Sequence, residues 1–250
     1  MRFKGLTVDR AMVLYAHPDD AEFGMAGTVA KWARAGVEMT YVLVTNGASG
    51  SQDPKMTRKR LAAVRKAEQD KAAKILGVKR VEYLGYEDGY LYPTLEVRRD
   101  VARVVRRYRP DVLFSMDPTF RVGGGYVNHP DHIAAAEVAL RTINPDASTR
   151  QMFPELWRRE RLEPHKPKAL MLAAFNEAAD TVVDITATMD LKLRALRAHA
   201  SQVSGEFEGF VREWARRSAR RTSYRYAESY QLIKLEEPPG VPPRRTRARS

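Results

Sequence analysis

The sequence predicts an α/β fold, a single domain built on a Rossmann-like, doubly wound, mostly parallel sheet. Three observations point there. Short apolar runs alternate with longer segments of helical periodicity along most of the chain. The runs are apolar throughout, as strands covered on both faces require. Three of them lead directly into polar residues, at His17, Thr45 and Asp117. In parallel sheets ligands sit outside the carboxyl ends of the strands, so chemistry is expected at these ends.

Residues 12–16 form the first strand. Residues 24–35 follow as a helix, with Met25, Val29 and Trp32 at helical spacing and Gly36 as its C-cap. The second strand, 39–44, runs into the loop TNGASGSQDP of 45–54. A long helix at 57–76 closes at Gly77. A short strand at 81–84 precedes a helix at 95–108, which Pro110 stops. The fourth strand, 111–115, leads into a loop at 116–128 carrying Gly123, Gly124 and Gly125, read as a lid or as a plain flexible loop. A helix at 133–141, strands at 169–173 and 181–185, and a helix at 189–200 complete the pattern. The stretch 146–166 places Met152, Phe153, Leu156 and Trp157 on what reads as an exposed insertion, suited to closing a site or to a subunit contact.

Composition narrows the function classes. Of 250 residues, 44% are hydrophobic and 30% charged, which excludes a disordered chain. No apolar stretch approaches the roughly 18 residues that span a membrane. The first residues lack a signal-peptide core, so the cytoplasm is the expected compartment. The absence of cysteine excludes disulfides, thiolate nucleophiles and Cys-ligated zinc. The net charge of +12 is partly local: six arginines lie between 212 and 225, and four more in the tail RRTRARS. The Pro- and Arg-rich residues 236–250 are expected to be a disordered tail, leaving 1–235 as the domain. A solvated basic surface explains the charge; a nucleic-acid module would interleave aromatics with base on a known scaffold, and none is visible.

The candidate chemistry lies in two clusters. HPDD, residues 17–20, follows the first strand, and NHPDH, residues 128–132, follows the fourth. A doubly wound sheet brings both to one edge. Together they offer His17, Asp20, His129 and His132 to one ion. Two histidines and a carboxylate with an open position form a common catalytic zinc set. A neighbouring carboxylate can then take a proton from water. An Asp at a helix start is more often a cap, but two His-Pro-Asp clusters at two strand ends are poorly explained as caps. Three of the five histidines lie in them.

These residues resemble the LmbE-like (PIG-L) deacetylases. The match comprises HPDD after the first strand, a helix containing Gly27, TNG after the second strand, and HPDH before a later helix. Order and spacing agree across roughly residues 12–143, and LRALRAHASQV at 193–203 is similar to the family's C-terminal region. The resemblance implies a zinc-dependent enzyme that removes N-acyl groups, mostly acetyl, from N-acetylglucosamine-type sugars and conjugates. It implies His17, Asp20 and His132 as metal ligands and Asp19 as general base. It implies His129 as the imidazole that stabilises the oxyanion or protonates the leaving amine. It places Arg65 in the substrate site and Asp88 against sugar hydroxyls. It also implies a homo-oligomer, a trimer or hexamer. One departure stands out: many members read HPDDE, whereas here Ala21 intervenes before Glu22. That variant is similar to the deacetylases of bacterial low-molecular-weight thiol synthesis.

Glu22 is read as a support for the ligands, or as an acid meeting the helix dipole. Asp117 is read as a hydrogen-bond partner of a ligand histidine, or as the turn residue before Pro118. Asn46 and Ser49 are candidates for substrate contact, and His199 is read as structural. The metal is expected to be zinc, although such a site also accepts iron, cobalt or nickel. Two other readings compete. One is an amidase acting on a different acyl or thiol-conjugate amide. The other is a basic nucleic-acid-binding or scaffold protein with a vestigial metal site, whose binding would weaken steeply with salt.

Overall fold

A computed structural model describes residues 1–123, 125–174 and 179–235. The expected tail, 236–250, and Gly124 of the glycine loop lie outside the described residues. A two-stranded pair, β1 (Arg2–Phe3) and β2 (Leu6–Thr7), precedes the main sheet. That sheet contains β3 (Arg10–Tyr15), β4 (Glu38–Thr45), β5 (Arg80–Tyr86) and β6 (Val112–Met116). After a small hairpin, β7 (Val122–Gly123) and β8 (Tyr126–Val127), it continues with β9 (Ala169–Ala173), β10 (Thr181–Asp184) and β11 (Ala227–Lys234). The spatial order is β10-β11-β9-β6-β3-β4-β5. From β5 through β9 neighbouring strands are parallel; β11 is antiparallel to both its neighbours.

The helices are α1 (Asp20–Arg34), α2 (Arg58–Leu76), α3 (Leu95–Tyr108), α4 (Pro130–Arg141), α5 (Pro154–Arg158), α6 (Met189–Arg197) and α7 (Phe207–Ala219). Strand order reverses at β3: the chain steps outward through β4 and β5, then returns to β6 on β3's other side. Right-handed crossovers force helices before and after such a reversal onto opposite faces. One apolar layer accordingly gathers Met25, Val29 and Trp32 of α1, Leu76 of α2 and Leu193 of α6. The other gathers Val101 and Val105 of α3 with Val138 of α4. Between β3 and β6 the loops part, and a crevice forms at their carboxyl ends.

Sequence chemistry sets the element ends. The Thr57 hydroxyl caps α2 by accepting from Arg60 N at 3.2 Å, and Gly77 ends it at φ 78°. Helix α4 begins at Pro130, three residues earlier than predicted, because Pro suits the first helical turn. Helix α1 likewise begins at Asp20, not Gly24. Gly27 lets α1 pack closely: a Cβ there would stand 2.7 Å from Ile185.

The longest elements absent from the sequence reading are α7 and β11; it also places nothing at α5 or at the short pairs β1–β2 and β7–β8. The arginines of α7 mask its apolar stripe, and the polar residues of β11 break the pattern of a buried strand. The stretch 146–166 also departs from expectation. The buried Arg106 guanidinium donates to the carbonyls of Asp146, Thr149 and Met152 at 2.7–2.8 Å. Arg98 grips the Asp146 carboxylate at 2.9 and 2.7 Å. His165 Nε2 lies 2.7 Å from the Pro110 carbonyl, before β6 begins. The stretch is therefore pinned at the amino end of the sheet and cannot close a site at the carboxyl end. Leu156 is buried and Phe153 packs on the core. Among the described residues, no helix is long and apolar enough to cross a membrane.

Candidate metal centre

Strand β3 delivers His17 and the start of α1 to the crevice, and the β8–α4 connection delivers Asn128 to His132. Their donor atoms converge. His132 Nε2 lies 3.1 Å from His17 Nδ1 and 3.0 Å from Asp20 Oδ1. His17 Nδ1 lies 3.5 Å from Asp20 Oδ2. One donor atom from each of His17, Asp20 and His132 falls within 4.8 Å of the others.

The outward nitrogens decide the tautomers. His17 Nε2 faces two carboxylates, Asp88 Oδ1 at 3.0 Å and Asp131 Oδ2 at 3.3 Å. His132 Nδ1 faces Asn128 Oδ1 at 2.9 Å. These acceptors place the ring protons outward on the neutral imidazoles. In that neutral state two imidazole lone pairs and a carboxylate oxygen point at one spot, an arrangement suited to a bound cation. Such outward carboxylate–histidine bonds are usual for metal-ligating histidines. Burial disfavours the charged form of His17, yet the carboxylates of Asp20, Asp131 and Asp88 outweigh it and raise its pKa well above the usual imidazole value. Burial likewise opposes ionised Asp20, but His132 and His17 hold its carboxyl well below the ordinary range. The residues fit a divalent metal bound by two nitrogens and one oxygen with an open position.

A second trio, His17, His129 and Asp131, also lies within ligand spacing. Its donors are already engaged. Asp131 accepts from Gly89 N at 2.7 Å and Leu91 N at 3.2 Å, and His129 Nδ1 accepts from Asp131 N at 3.1 Å. That last bond leaves the proton of neutral His129 on Nε2. Burial and the adjacent His17 lower the His129 pKa, favouring this neutral form.

Asp19 sits beside the metal set in an uncommon backbone state, φ 96° and ψ −26°. Asp tolerates positive φ better than most residues, but such states persist only where the surroundings enforce them. Burial raises its carboxyl to about 7; Arg65 opposes the rise and the charge of Asp20 adds to it. Arg65 is buried and donates to Asp19 Oδ2 at 3.2 Å, Gly47 O at 2.9 Å and Pro18 O at 2.5 Å. Gly47, at φ 65°, makes room: a Cβ there would stand 3.0 Å from Arg65 Nε.

Eight of the nine predicted site residues thus share one neighbourhood: His17, Asp19, Asp20, Glu22, Arg65, Asp88, His129 and His132. Asp88 lies beside the ligand set, as expected, with its carboxylate engaged within the chain. It is buried behind His17, one oxygen facing His17 Nε2 at 3.0 Å and the other accepting from Ser49 N at 2.8 Å. These bonds, with burial opposing, hold Asp88 down at about 2. Asn46 and Ser49 serve the same loop: Asn46 Oδ1 accepts from Ala48 N at 3.1 Å, and Ser49 Oγ donates to Asp88 O at 2.8 Å. Asp117 contradicts the reading as a histidine partner. Its Oδ1 accepts from Thr119 N at 2.8 Å and Thr119 Oγ1 at 2.6 Å, the turn role. Sequence reasoning missed Asp131, Asn128 and Gln69 as supports. The first two lie inside NHPDH itself. Gln69 is one helical turn after Arg65 on α2.

The profile of the PIG-L family, GlcNAc-PI de-N-acetylase, matches residues 12–143. The chain belongs to this family. Its relatives include the diacetylchitobiose deacetylase of Thermococcus kodakarensis, 30% identical over 234 residues, covering 90% of this chain and 84% of that protein. The probable N-acetyl-α-D-glucosaminyl L-malate deacetylase 2 of Bacillus anthracis is 30% identical over 208 residues, covering 81% of this chain and 85% of the relative. Among solved structures, the N,N′-diacetylchitobiose deacetylase of Pyrococcus horikoshii in complex with an inhibitor superposes with a TM-score of 0.84. It is 31% identical and covers 91% of this chain and 84% of its own. The family match spans both His-Pro-Asp clusters.

Proposed function

We propose that this chain is a zinc-dependent N-deacetylase that removes the acetyl group from an N-acetylglucosamine-type sugar or conjugate. The observation that carries the reading is the convergence of His17, Asp20 and His132 beside Asp19. Deacetylase names among the relatives support the substrate class. A divalent metal held by those three residues supplies Lewis acidity to water and to the acyl oxygen.

The chain's own residues do the rest. Asp19, with its carboxyl raised to about 7, accepts a proton from the attacking water. The water oxygen bonds to the acyl carbon, and the carbonyl electrons move onto oxygen. Neutral His129 presents Nε2–H, suited to donate a hydrogen bond to that oxygen; such donors typically contribute about 10²–10³ in rate. Asp19 then returns its proton to the amide nitrogen, the C–N bond breaks, and acetate and the amino sugar remain. Arg65 aims the Asp19 carboxylate, and Asp88 and Asp131 hold the His17 ring.

A substrate panel tests this. N-acetylglucosamine conjugates should release a free amino sugar and equimolar acetate. Matched conjugates bearing longer acyl groups, and thiol-conjugate amides, should be slower. Faster cleavage of the latter would replace the deacetylase reading with a different amidase.

A further inference from the structure

Asp19 needs an enforcer for its backbone as well as for its carboxylate. Its N–H donates to Gln69 Oε1 at 3.1 Å. The Gln69 amide is itself oriented: its Nε2 donates to Glu22 Oε1 at 3.0 Å. The Asp19 N–H can only donate, so the oxygen of Gln69 must face it and the nitrogen faces Glu22. The other oxygen of Glu22 faces His199 Nε2 at 3.4 Å. Gln69, Glu22 and His199 are each fully buried. Their amide and carboxylate polarity is costly to bury unless the hydrogen bonds are made.

We propose that Gln69, oriented by Glu22, is a positioning residue that keeps Asp19 in its left-handed backbone state and so sets the aim of its carboxylate. The idea rests on reading Asp19 as the proton acceptor. Two helices meet in this relay, α1 through Asp19 and Glu22 and α2 through Gln69; His199, in the turn after α6, lies beside the other Glu22 oxygen without a hydrogen bond to it. The arrangement is directional, so exchanging donor and acceptor should preserve it. In a Glu22→Gln/Gln69→Glu double variant, the new carboxylate accepts from Asp19 N–H and from the amide at position 22. In Gln69→Glu alone, two carboxylates face each other and the link to Glu22 is lost.

The test is a double-variant cycle on the metal-loaded enzyme, scored by kcat, KM and metal per chain. A misplacement of about 1 Å can cost on the order of 10²-fold in rate. Gln69→Glu should therefore lose roughly ten- to a hundredfold in kcat, with KM and metal content unchanged. The swapped double variant should recover most of it. Gln69→Asn, whose shorter amide cannot reach both partners, should lose kcat in the same way if Gln69→Glu fails to fold. Wild-type kcat in both single variants, or a double variant no better than Gln69→Glu, would overturn the proposal. Crystal structures read the same claim without activity: Asp19 should leave φ near 96° in the single variants and return to it in the double. An inactive wild type in this assay would count against the deacetylase reading alone, and the backbone readout would still decide the relay.

Discussion

Two buried charged clusters flank α1, and they are built on opposite plans. In the first, Glu228 and Lys192 pair at 2.6 Å, both nearly inaccessible. Glu228 also accepts from Gly27 N at 3.0 Å, Thr28 N at 2.7 Å and Tyr230 OH at 3.0 Å, while Lys192 donates to Phe23 O at 2.7 Å. One anion meets one cation, and four donors saturate the carboxylate. In the second, Asp19, Asp20, Asp88 and Asp131 crowd around His17 and His132, with Arg65 as their permanently charged partner among the described residues. Excess negative charge and inward lone pairs remain. The closed cluster ties β11, α1 and α6 together; the open one is suited to hold a cation from outside. Buried charge balanced within the chain points to structure, and buried charge left unbalanced points to chemistry.

The largest expected effects separate the two plans. His17→Ala removes a ligand from the open cluster, so bound metal should fall to background. Turnover should fall with it, by about 10³-fold or more if several kcal/mol of charge stabilisation goes. Asp19→Ala should keep its metal yet lose about 10²–10⁴ in kcat, the usual range for a general base. Metal analysis beside steady-state kinetics checks both; metal loss in Asp19→Ala, or retained turnover, would move Asp19 out of the base role.

Lys192→Met attacks the closed cluster and should do the reverse. Breaking a buried pair from one side costs about 3–5 kcal/mol. The melting temperature should drop by roughly 10 °C, at about 2–4 °C per kcal/mol in a chain of this size. Metal per folded chain and kcat should stay near wild type. Asp131→Asn weakens one outward hold on His17 and should lower metal affinity about 10–100-fold, measurable by competition with a chelator.

The smallest effect is a pH dependence. Asp19 has a carboxyl raised from an unfolded value of 3.8 to about 7. Its favourable contribution is complete below pH 3.8 and is lost as pH rises through 7. His17, also raised, adds stability below its unfolded value of 6.5 that fades as pH climbs through its folded pKa. Metal-free protein should thus melt lower at pH 8 than at pH 6. Saturating metal should shrink that difference by binding the folded state. An equal slope with and without metal would show that these two groups do not govern it.

Much of this was legible in the sequence. Parallel strands buried on both faces are apolar runs, so β3, β4 and β6 showed themselves. Paired His-Pro-Asp clusters at two strand ends gave His17, Asp20 and His132, because a ligand set needs specific residue types. The supports were less legible. Asp88 and Arg65 lie where expected, but their side chains turn toward His17 and Asp19, and orientation within a site is fixed by packing. Gln69 has no type or spacing that marks it; its role follows from facing Asp19 N–H across two helices. Arg106 reads as another surface arginine on α3, and only its carbonyl partners show that 146–166 is fastened at the far end of the sheet. Glu228 and Lys192 lie 36 residues apart, and nothing local joins them.

The most direct test of the central claim is a metal titration of chelator-treated protein, with acetate release from an N-acetylglucosamine conjugate followed at each point. The account predicts that acetate release rises from background and saturates at one zinc per chain, and that His17→Ala shows neither binding nor release. Full acetate release by protein shown to hold no metal would contradict it, as would stoichiometric zinc binding that leaves His17→Ala unaffected.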